Sequence, residues 1–366
     1  MAKLFIVATE TSGDFLGGEL LCELHKLHPD LQVTGVGGPQ MQAQGLRPIY
    51  RVSDFNVMGL FEVISQLKRL KRQFNHMVKE VNTWKPDAVV LIDAPDFNMR
   101  FAKALTEQNI PVIYYVGPQV WAWRAKRAAQ LAKLVDHIML LFEFEAPFYK
   151  GLDCKASVVG HPLVDELTRF KMAHKEDPPR TNQKPRVVLA PGSRKREVSS
   201  LLPIMLELID MRPEYQFALA LAPTIEPQSL ELGARRDRIV IGQMRPLMAS
   251  ADAAVVASGT ATLETGLMGV PMVVGYRLSS ASYVLAKRLV KTPHVALVNI
   301  VLGERVVPEL IQGAFQPEAV ARHLDLLVKP TPERSYMADK FAQLNDLLGG
   351  EGASRRAAQI VSEYLS

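Results

Sequence analysis

Cysteine is nearly absent: Cys22 and Cys154 are the two thiols in 366 residues. Two cysteines make neither a disulfide framework nor a zinc site, so a reducing compartment and structural thiols are expected. Long hydrophobic runs are also missing. The stretch 111–123 is broken by Gly117-Pro118 and falls short of the roughly 20 residues a membrane span needs. The first apolar run, 4–8, is too short for the core of a signal peptide and is closed by Glu10 and Asp14. The chain is therefore expected in the cytosol, able to touch a membrane surface. No G-x-G-x-x-G dinucleotide fingerprint occurs. Neither sign of charge dominates: 43 Lys and Arg stand against 38 Asp and Glu, a net charge of +5. That mild excess suits an anionic partner such as a phosphorylated ligand or a lipid surface, and nucleic acid is not expected.

What is present is an ordinary globular composition, 48% hydrophobic and 22% charged, long enough for two domains. Short apolar runs alternate with helical patterns. Strands are predicted at 3–8, 32–36, 87–92, 111–116, 137–141 and 156–159, then at 186–190, 216–220, 238–241, 253–257, 272–275 and 295–297. Helices are predicted at 17–27, 60–81, 99–107, 124–134 and 145–150, then at 198–211, 247–249, 261–268 and 281–289. Residues 317–364 read as helical throughout. Strands separated by helices imply α/β domains with parallel sheets and right-handed crossovers. The expected division is a first Rossmann-like domain at 1–165, a linker at 166–185 containing Pro178-Pro179, and a second Rossmann-like domain at 186–340. A helical tail at 341–366 could return to the first domain. Two such domains facing a cleft would place the site there.

Four stretches carry candidate chemistry. Residues 253–257 read as a buried strand running into Ser258-Gly259-Thr260 and then a helix. A helix opening on small residues offers unpaired backbone N–H groups and a positive dipole end to a phosphate. Glu264, one turn on, could accept bonds from ribose hydroxyls; a capped core helix is the plainer reading. Pro191-Gly192-Ser193-Arg194-Lys195-Arg196 follows the first strand of the second half. Basic residues oppose the dipole at a helix start, so a phosphate loop with Arg194 clamping a diphosphate is favoured. Glu10-Thr11-Ser12-Gly13-Asp14 follows the first strand; its small residues allow close approach of a ligand, or else Ser12 or Asp14 caps the helix. Asp93-Ala94-Pro95-Asp96-Phe97-Asn98 follows the strand 87–92. One acid there could cap the next helix while the other faces the cleft as a general base. His161, in Gly160-His161-Pro162, could reach the cleft or pack at a hinge.

The segment 57–81 places Leu60, Val63, Ile64, Leu67, Leu70, Phe74, Met77 and Val81 on one helical face, flanked by Lys68, Arg69, Lys71 and Arg72. An apolar stripe with a basic border suits an interfacial helix on an anionic membrane, or a core helix with a solvated basic side.

In combination these stretches resemble the lipid-A-disaccharide synthase family, glycosyltransferases of the two-Rossmann-domain (GT-B) type. The resemblance runs through 10–14, 57–63, 92–98, Val120-Trp121-Ala122-Trp123-Arg124, 160–162, 191–194, 257–264, 271–277, 285–291 and Asn299. It implies an inverting transfer from UDP-2,3-diacylglucosamine to 2,3-diacylglucosamine 1-phosphate, giving a β-1',6-linked disaccharide 1-phosphate and UDP. Asp93 would take the acceptor proton, with Asp96 and Asn98 beside it, although the order of the two acids stays open. Arg194, Ser193 and the Ser258-Gly259-Thr260 backbone would hold the diphosphate, Glu264 the ribose and Asn299 the nucleotide or sugar. Ser12, Gly13 and His161 would meet the sugar from the first domain. No metal or other cofactor is implied, and no Asp-x-Asp motif is present. The diacyl substrates imply peripheral association with the inner membrane through 60–72; a homodimer is compatible. The alternative is another GT-B enzyme, an N-acetylglucosaminyl transferase with a polyprenyl-linked acceptor or a UDP-sugar 2-epimerase.

Overall fold

Apolar runs of three to six residues pair side by side into two all-parallel sheets, of seven and six strands. The computed structural model describes residues 1–55, 60–121, 126–174, 184–223, 225–279, 283 and 292–365, with the backbone alone at 60–67. The chain forms two compact units, Met1–Pro162 with Gly349–Ser366, and Leu163–Leu348.

The first unit contains β1 (Lys3–Ala8), β2 (Gln32–Gly37), β3 (Arg47–Arg51), β4 (Ala88–Ile92), β5 (Val112–Tyr115), β6 (His137–Leu140) and β7 (Lys155–Val158), ordered β3-β2-β1-β4-β5-β6-β7. β4 is buried along its whole length and β1 at all but Lys3, as expected of central parallel strands covered on both faces. The crossover helices are α1 (Thr11–Leu27), α2 (Pro39–Ala43), α3 (Leu60–Trp84), α4 (Pro95–Leu105) and α5 (Lys126–Ala132). Phe5 and Phe101 stack at 6.1 Å between β1 and α4, joined by Phe74 of α3, and each such side chain contributes roughly 1.5–3 kcal/mol of burial.

The second unit contains α6 (Leu163–Ala173), β8 (Arg186–Ala190), α7 (Lys195–Met211), β9 (Gln216–Ala220), β10 (Ile239–Gly242), α8 (Met244–Met248), β11 (Ala253–Ala257), α9 (Thr260–Leu267), β12 (Met272–Tyr276) and β13 (Glu309–Ile311), its sheet ordered β10-β9-β8-β11-β12-β13. In both sheets the strand order reverses beside the first strand, between β1 and β4 and between β8 and β11. Ala8 pairs with Ile92 and Ala190 with Val256, so the turns after each strand pair emerge side by side. Ligands of open α/β sheets bind at such switch points.

Several expectations are corrected. β3 and β13 were not predicted: Arg47–Arg51 is a polar, exposed edge, and Glu309–Ile311 has three residues. The strand expected at 295–297 is instead a loop leading into the helix Leu297–Leu302, since Glu309–Ile311 occupies the sheet edge. α4 begins at Pro95, whose ring suits the first helical position. The stretch read as a linker from 166 is helical through Ala173, and α6 belongs to the second unit. The tail is divided. The helices Pro332–Phe341 and Leu344–Leu347 stay with the second unit, whereas Ala353–Ser362 packs on α1 of the first. Arg356 Nε donates to the Val159 carbonyl at 2.8 Å, and the changeover at Gly349 brings it so near Gly160 that a Cβ would lie 2.9 Å from the Gly160 Cα.

Candidate functional site

In the first unit the switch point gathers Glu10, Ser12, Asp93 and the loop after β5. Asp93 and Ala94 both adopt left-handed backbone, φ 49° and 45°, and Val116, at the end of β5, has φ 70°. Such angles cost a non-glycine residue about 1–3 kcal/mol and persist only where surroundings enforce them. They are enforced here. The Asp93 N–H donates to the Tyr115 carbonyl at 2.9 Å, and its carbonyl accepts from Asn98 Nδ2 at 2.8 Å and the Tyr114 hydroxyl at 2.5 Å. Val116 N–H donates to the Met139 carbonyl at 3.0 Å. The Asp93 side chain lines a pocket of about 250 Å³ with Asp96, Arg127 and residues 116–120. Burial raises its carboxyl pKa, and the negative charge of Glu10 raises it further. The arrangement is a fixed carboxylate of increased basicity in a concave site.

The neighbouring candidates have different roles. Asp96 is exposed and ion-paired with Arg127 at the pocket rim, and Asp93 is the one of the two without an ion pair among the described residues. Asn98 is fully buried, with Nδ2 bonded to the Ile92 and Asp93 carbonyls, so it holds the turn. Ser12 is exposed in the first turn of α1, whose N-terminus has no side-chain cap. Asp14 does cap a helix, but it is α2: its buried carboxylate accepts from the N–H groups of Gly38 at 2.6 Å and of Gln40 and Met41 at 3.1 Å. A Cβ on Gly13 would stand 3.2 Å from that of Ala8, so this glycine serves the packing of α1 on β1. His161 lies against Phe142, ring centroids 5.6 Å apart, and burial pushes its pKa down to about 4. It closes the first unit beside Phe142.

A residue the sequence reading passed over is Glu145. It accepts from the N–H groups of Leu141 at 3.1 Å and Phe142 at 3.2 Å and from Trp121 Nε1 at 3.2 Å, anchoring the loop that walls the pocket. Burial raises its pKa to about 7. It lies 24 residues from Trp121 with no spacing signal to link them.

In the second unit the turns after β8 and β11 lie side by side. Gly192 has φ 108°, and a Cβ there would fall 2.4 Å from Glu197 Oε2. That oxygen accepts from the N–H groups of Ser193 at 3.2 Å and Arg194 at 3.3 Å, so Glu197 itself caps α7. The expected anion site on the α7 backbone is thus occupied by the protein's own carboxylate, and Ser193 N–H with it. Arg194 remains 81% exposed, its guanidinium held near Glu197 at 3.3 Å. Across the switch point Gly259, φ 139°, opens α9 without a side-chain cap, and Thr260 is exposed. The Ser258 hydroxyl donates to the Val295 carbonyl at 2.6 Å. Glu264, one turn into α9, accepts from Arg245 Nε at 2.6 Å. Asn299 is wholly buried and fully engaged. Its Oδ1 accepts from Val306 and Val307 N–H, and its Nδ2 donates to the Val307 carbonyl and Glu309, so the expected nucleotide contact is corrected to a loop brace.

Of the helix 60–72, Leu60, Val63, Ile64 and Leu67 have side chains outside the described residues. Lys68, Arg69, Lys71 and Arg72 are exposed, and Leu70 is half-buried. Further along, Met77 and Val81 belong to the core, so the lower part of the stripe is structural. Among the described residues no helix is long and apolar enough to cross a membrane.

Two parallel sheets with switch-point sites define a GT-B-type glycosyltransferase fold. The UDP-GlcNAc 2-epimerase of Neisseria meningitidis, solved bound to UDP-GlcNAc, superposes with TM-score 0.66 at 14% identity, covering 99% of this chain and all of its own. The calicheamicin glycosyltransferase CalG4 superposes with TM-score 0.63 at 16% identity, covering 99% and 98%. The family is shown by sequence. The family model described as lipid-A-disaccharide synthetase matches residues 4–363. The lipid-A-disaccharide synthases of Geobacter metallireducens and Myxococcus xanthus are 39% and 37% identical, each covering 99% of this chain and 97% of the relative. The chain belongs to the lipid-A-disaccharide synthase family and is a glycosyltransferase.

Proposed function

We propose that this enzyme joins UDP-2,3-diacylglucosamine to 2,3-diacylglucosamine 1-phosphate in one inverting step, forming a β-1',6 link and releasing UDP. The observation that carries the reading is Asp93: a carboxylate of raised pKa, clamped in left-handed backbone at the switch point of the first unit. In the proposed step it takes the proton from the acceptor 6-hydroxyl as that oxygen attacks the anomeric carbon, on the face opposite the departing diphosphate. The C–O bond to UDP breaks as the new one forms.

The second unit holds the donor in this reading. The uncapped start of α9 at Gly259-Thr260 presents N–H groups and a positive dipole end to the diphosphate, and the exposed Arg194 neutralises the charge that grows on it. Glu264 receives the ribose hydroxyls. With the diphosphate met by a cation and a helix terminus, the proposed reaction needs no metal. The exposed Lys68, Arg69, Lys71 and Arg72 on α3 meet anionic headgroups of the inner membrane, from which the acylated substrates arrive. Asp93→Asn tests the proposal. UDP release in the presence of both acylated sugars should stop while UDP affinity stays within about twofold; turnover in this variant refutes the assignment of the base.

A further inference from the structure

Glu264 does not stand alone. Arg245, on α8, directs Nε to Glu264 Oε1 at 2.6 Å and a terminal nitrogen to Glu166 of α6. The Arg245, Glu166 and Glu264 side chains are 31%, 15% and 17% exposed, so the trio is largely shielded from solvent. α6 is tied to α9 a second time where Lys171 Nζ donates to the Leu267 carbonyl at 2.8 Å, a cation at the C-terminal end of that helix. A guanidinium offers donors at fixed angles in one plane, so two carboxylates bonded to different nitrogens of it set each other's direction. A glutamate on a helix otherwise has three rotatable torsions, whose ordering on ligand binding opposes affinity.

We infer that Arg245 is a positioning residue that pre-orients Glu264 for the ribose diol of the nucleotide, with Glu166 holding Arg245 in turn. This rests on the ribose role proposed above for Glu264. In this inference Oε2, the oxygen not bonded to Arg245, is the one that accepts from the ribose. Lysine cannot replace Arg245, because a point charge does not hold two carboxylates at fixed angles. Sensitivity to the ribose hydroxyls is then a property of three residues from α6, α8 and α9, and not of the α9 turn alone.

The test is calorimetric titration of the whole protein with UDP, 2'-deoxy-UDP and 3'-deoxy-UDP. Wild type should prefer UDP to at least one deoxy analogue, by about tenfold for one well-aligned bond to a carboxylate. Glu264→Gln should abolish that preference. Arg245→Lys should reduce it nearly as far while leaving the affinity for that deoxy analogue within about twofold, and the double variant should bind UDP no more weakly than Glu264→Gln alone. Glu166→Gln, a near-isosteric change that keeps the arginine, should lose part of the preference. It serves as the second probe should Arg245→Lys fold poorly by circular dichroism. An undiminished preference in Arg245→Lys, or in Glu166→Gln where the lysine variant is unfolded, overturns the inference. An undiminished preference in Glu264→Gln is a different failure, that of the ribose reading itself.

Discussion

The two sheets share strand order over six strands, yet their switch points are built from different backbone. In the first unit the left-handed angles fall on Asp93, Ala94 and Val116. In the second they fall on Gly192 and Gly259. Glycine takes such angles with little steric cost, whereas alanine, aspartate and valine do not. The difference fits what the proposed reaction asks of each site. Holding a diphosphate at α9, as proposed, calls for backbone N–H groups, and glycine exposes them. Aiming one acid requires a side chain at the turn itself, so the strain at Asp93 cannot be removed by glycine without removing the acid. The Tyr115, Asn98 and Tyr114 bonds offset that strain.

The contrast can be broken from either side. The largest effect is expected from Asp93→Asn, which should lower kcat by about 10²–10⁴-fold, the range of a lost general base. In wild type the acid limb of the kcat profile should lie above the ordinary aspartate pKa, because burial and then Glu10 raise it. The sign for stability is opposite. The folded state disfavours the ionised form, so this group costs stability as pH rises from the unfolded value through the folded one. Asp93→Asn should therefore be no less stable than wild type at pH 7 in urea unfolding.

Next comes Gly259→Ala. A Cβ there meets no atom of the described residues within 4 Å, so a loss of stability reports backbone strain. It should destabilise the second unit by about 1–3 kcal/mol and weaken UDP binding measured by titration. The mirror experiment is Ala94→Gly, which relieves strain in the first unit. Its net stability change should stay under about 1 kcal/mol, as relief and the greater freedom of the unfolded chain oppose each other. Steady-state assays should show kcat reduced several-fold with little change in KM, since the turn no longer fixes Asp93. Equal kcat would mean that the left-handed turn is not needed to aim the acid. The smallest effect is expected for Asp96→Asn: its side chain is 78% exposed, and an exposed pair contributes about 0–1 kcal/mol. Turnover should fall by less than about tenfold.

Central strands were legible because burial on both faces demands unbroken apolar runs, as in Ala88–Ile92 and Ala253–Ala257. Two of the four edge strands were not, since Arg47–Arg51 carries no such demand and Glu309–Ile311 is too short to show a pattern. The acid pair at 93 and 96 was visible as a pair; the ion pair of Asp96 with Arg127 was not legible from spacing. Asn98 and Asn299 looked like ligands because a polar residue beside a turn reads alike whether it faces solvent or core. Both are wholly buried and bonded to backbone carbonyls, a placement no local pattern announces. Arg245 and the Glu145–Trp121 bond were missed because they join loops and helices that no periodicity links, whereas Glu197 caps α7 at the local spacing of a capping box.

The order of apolar runs, the small-residue turns and the placement of acids and arginines were determined by the sequence by itself, because chain-local sterics and hydrophobic periodicity act over a few residues. Which of two aspartates pairs with Arg127, which arginine braces Glu264, and where the last helix docks were decided only by tertiary structure. Those outcomes depend on distances between groups far apart in the chain, and burial and charge pairing act through space.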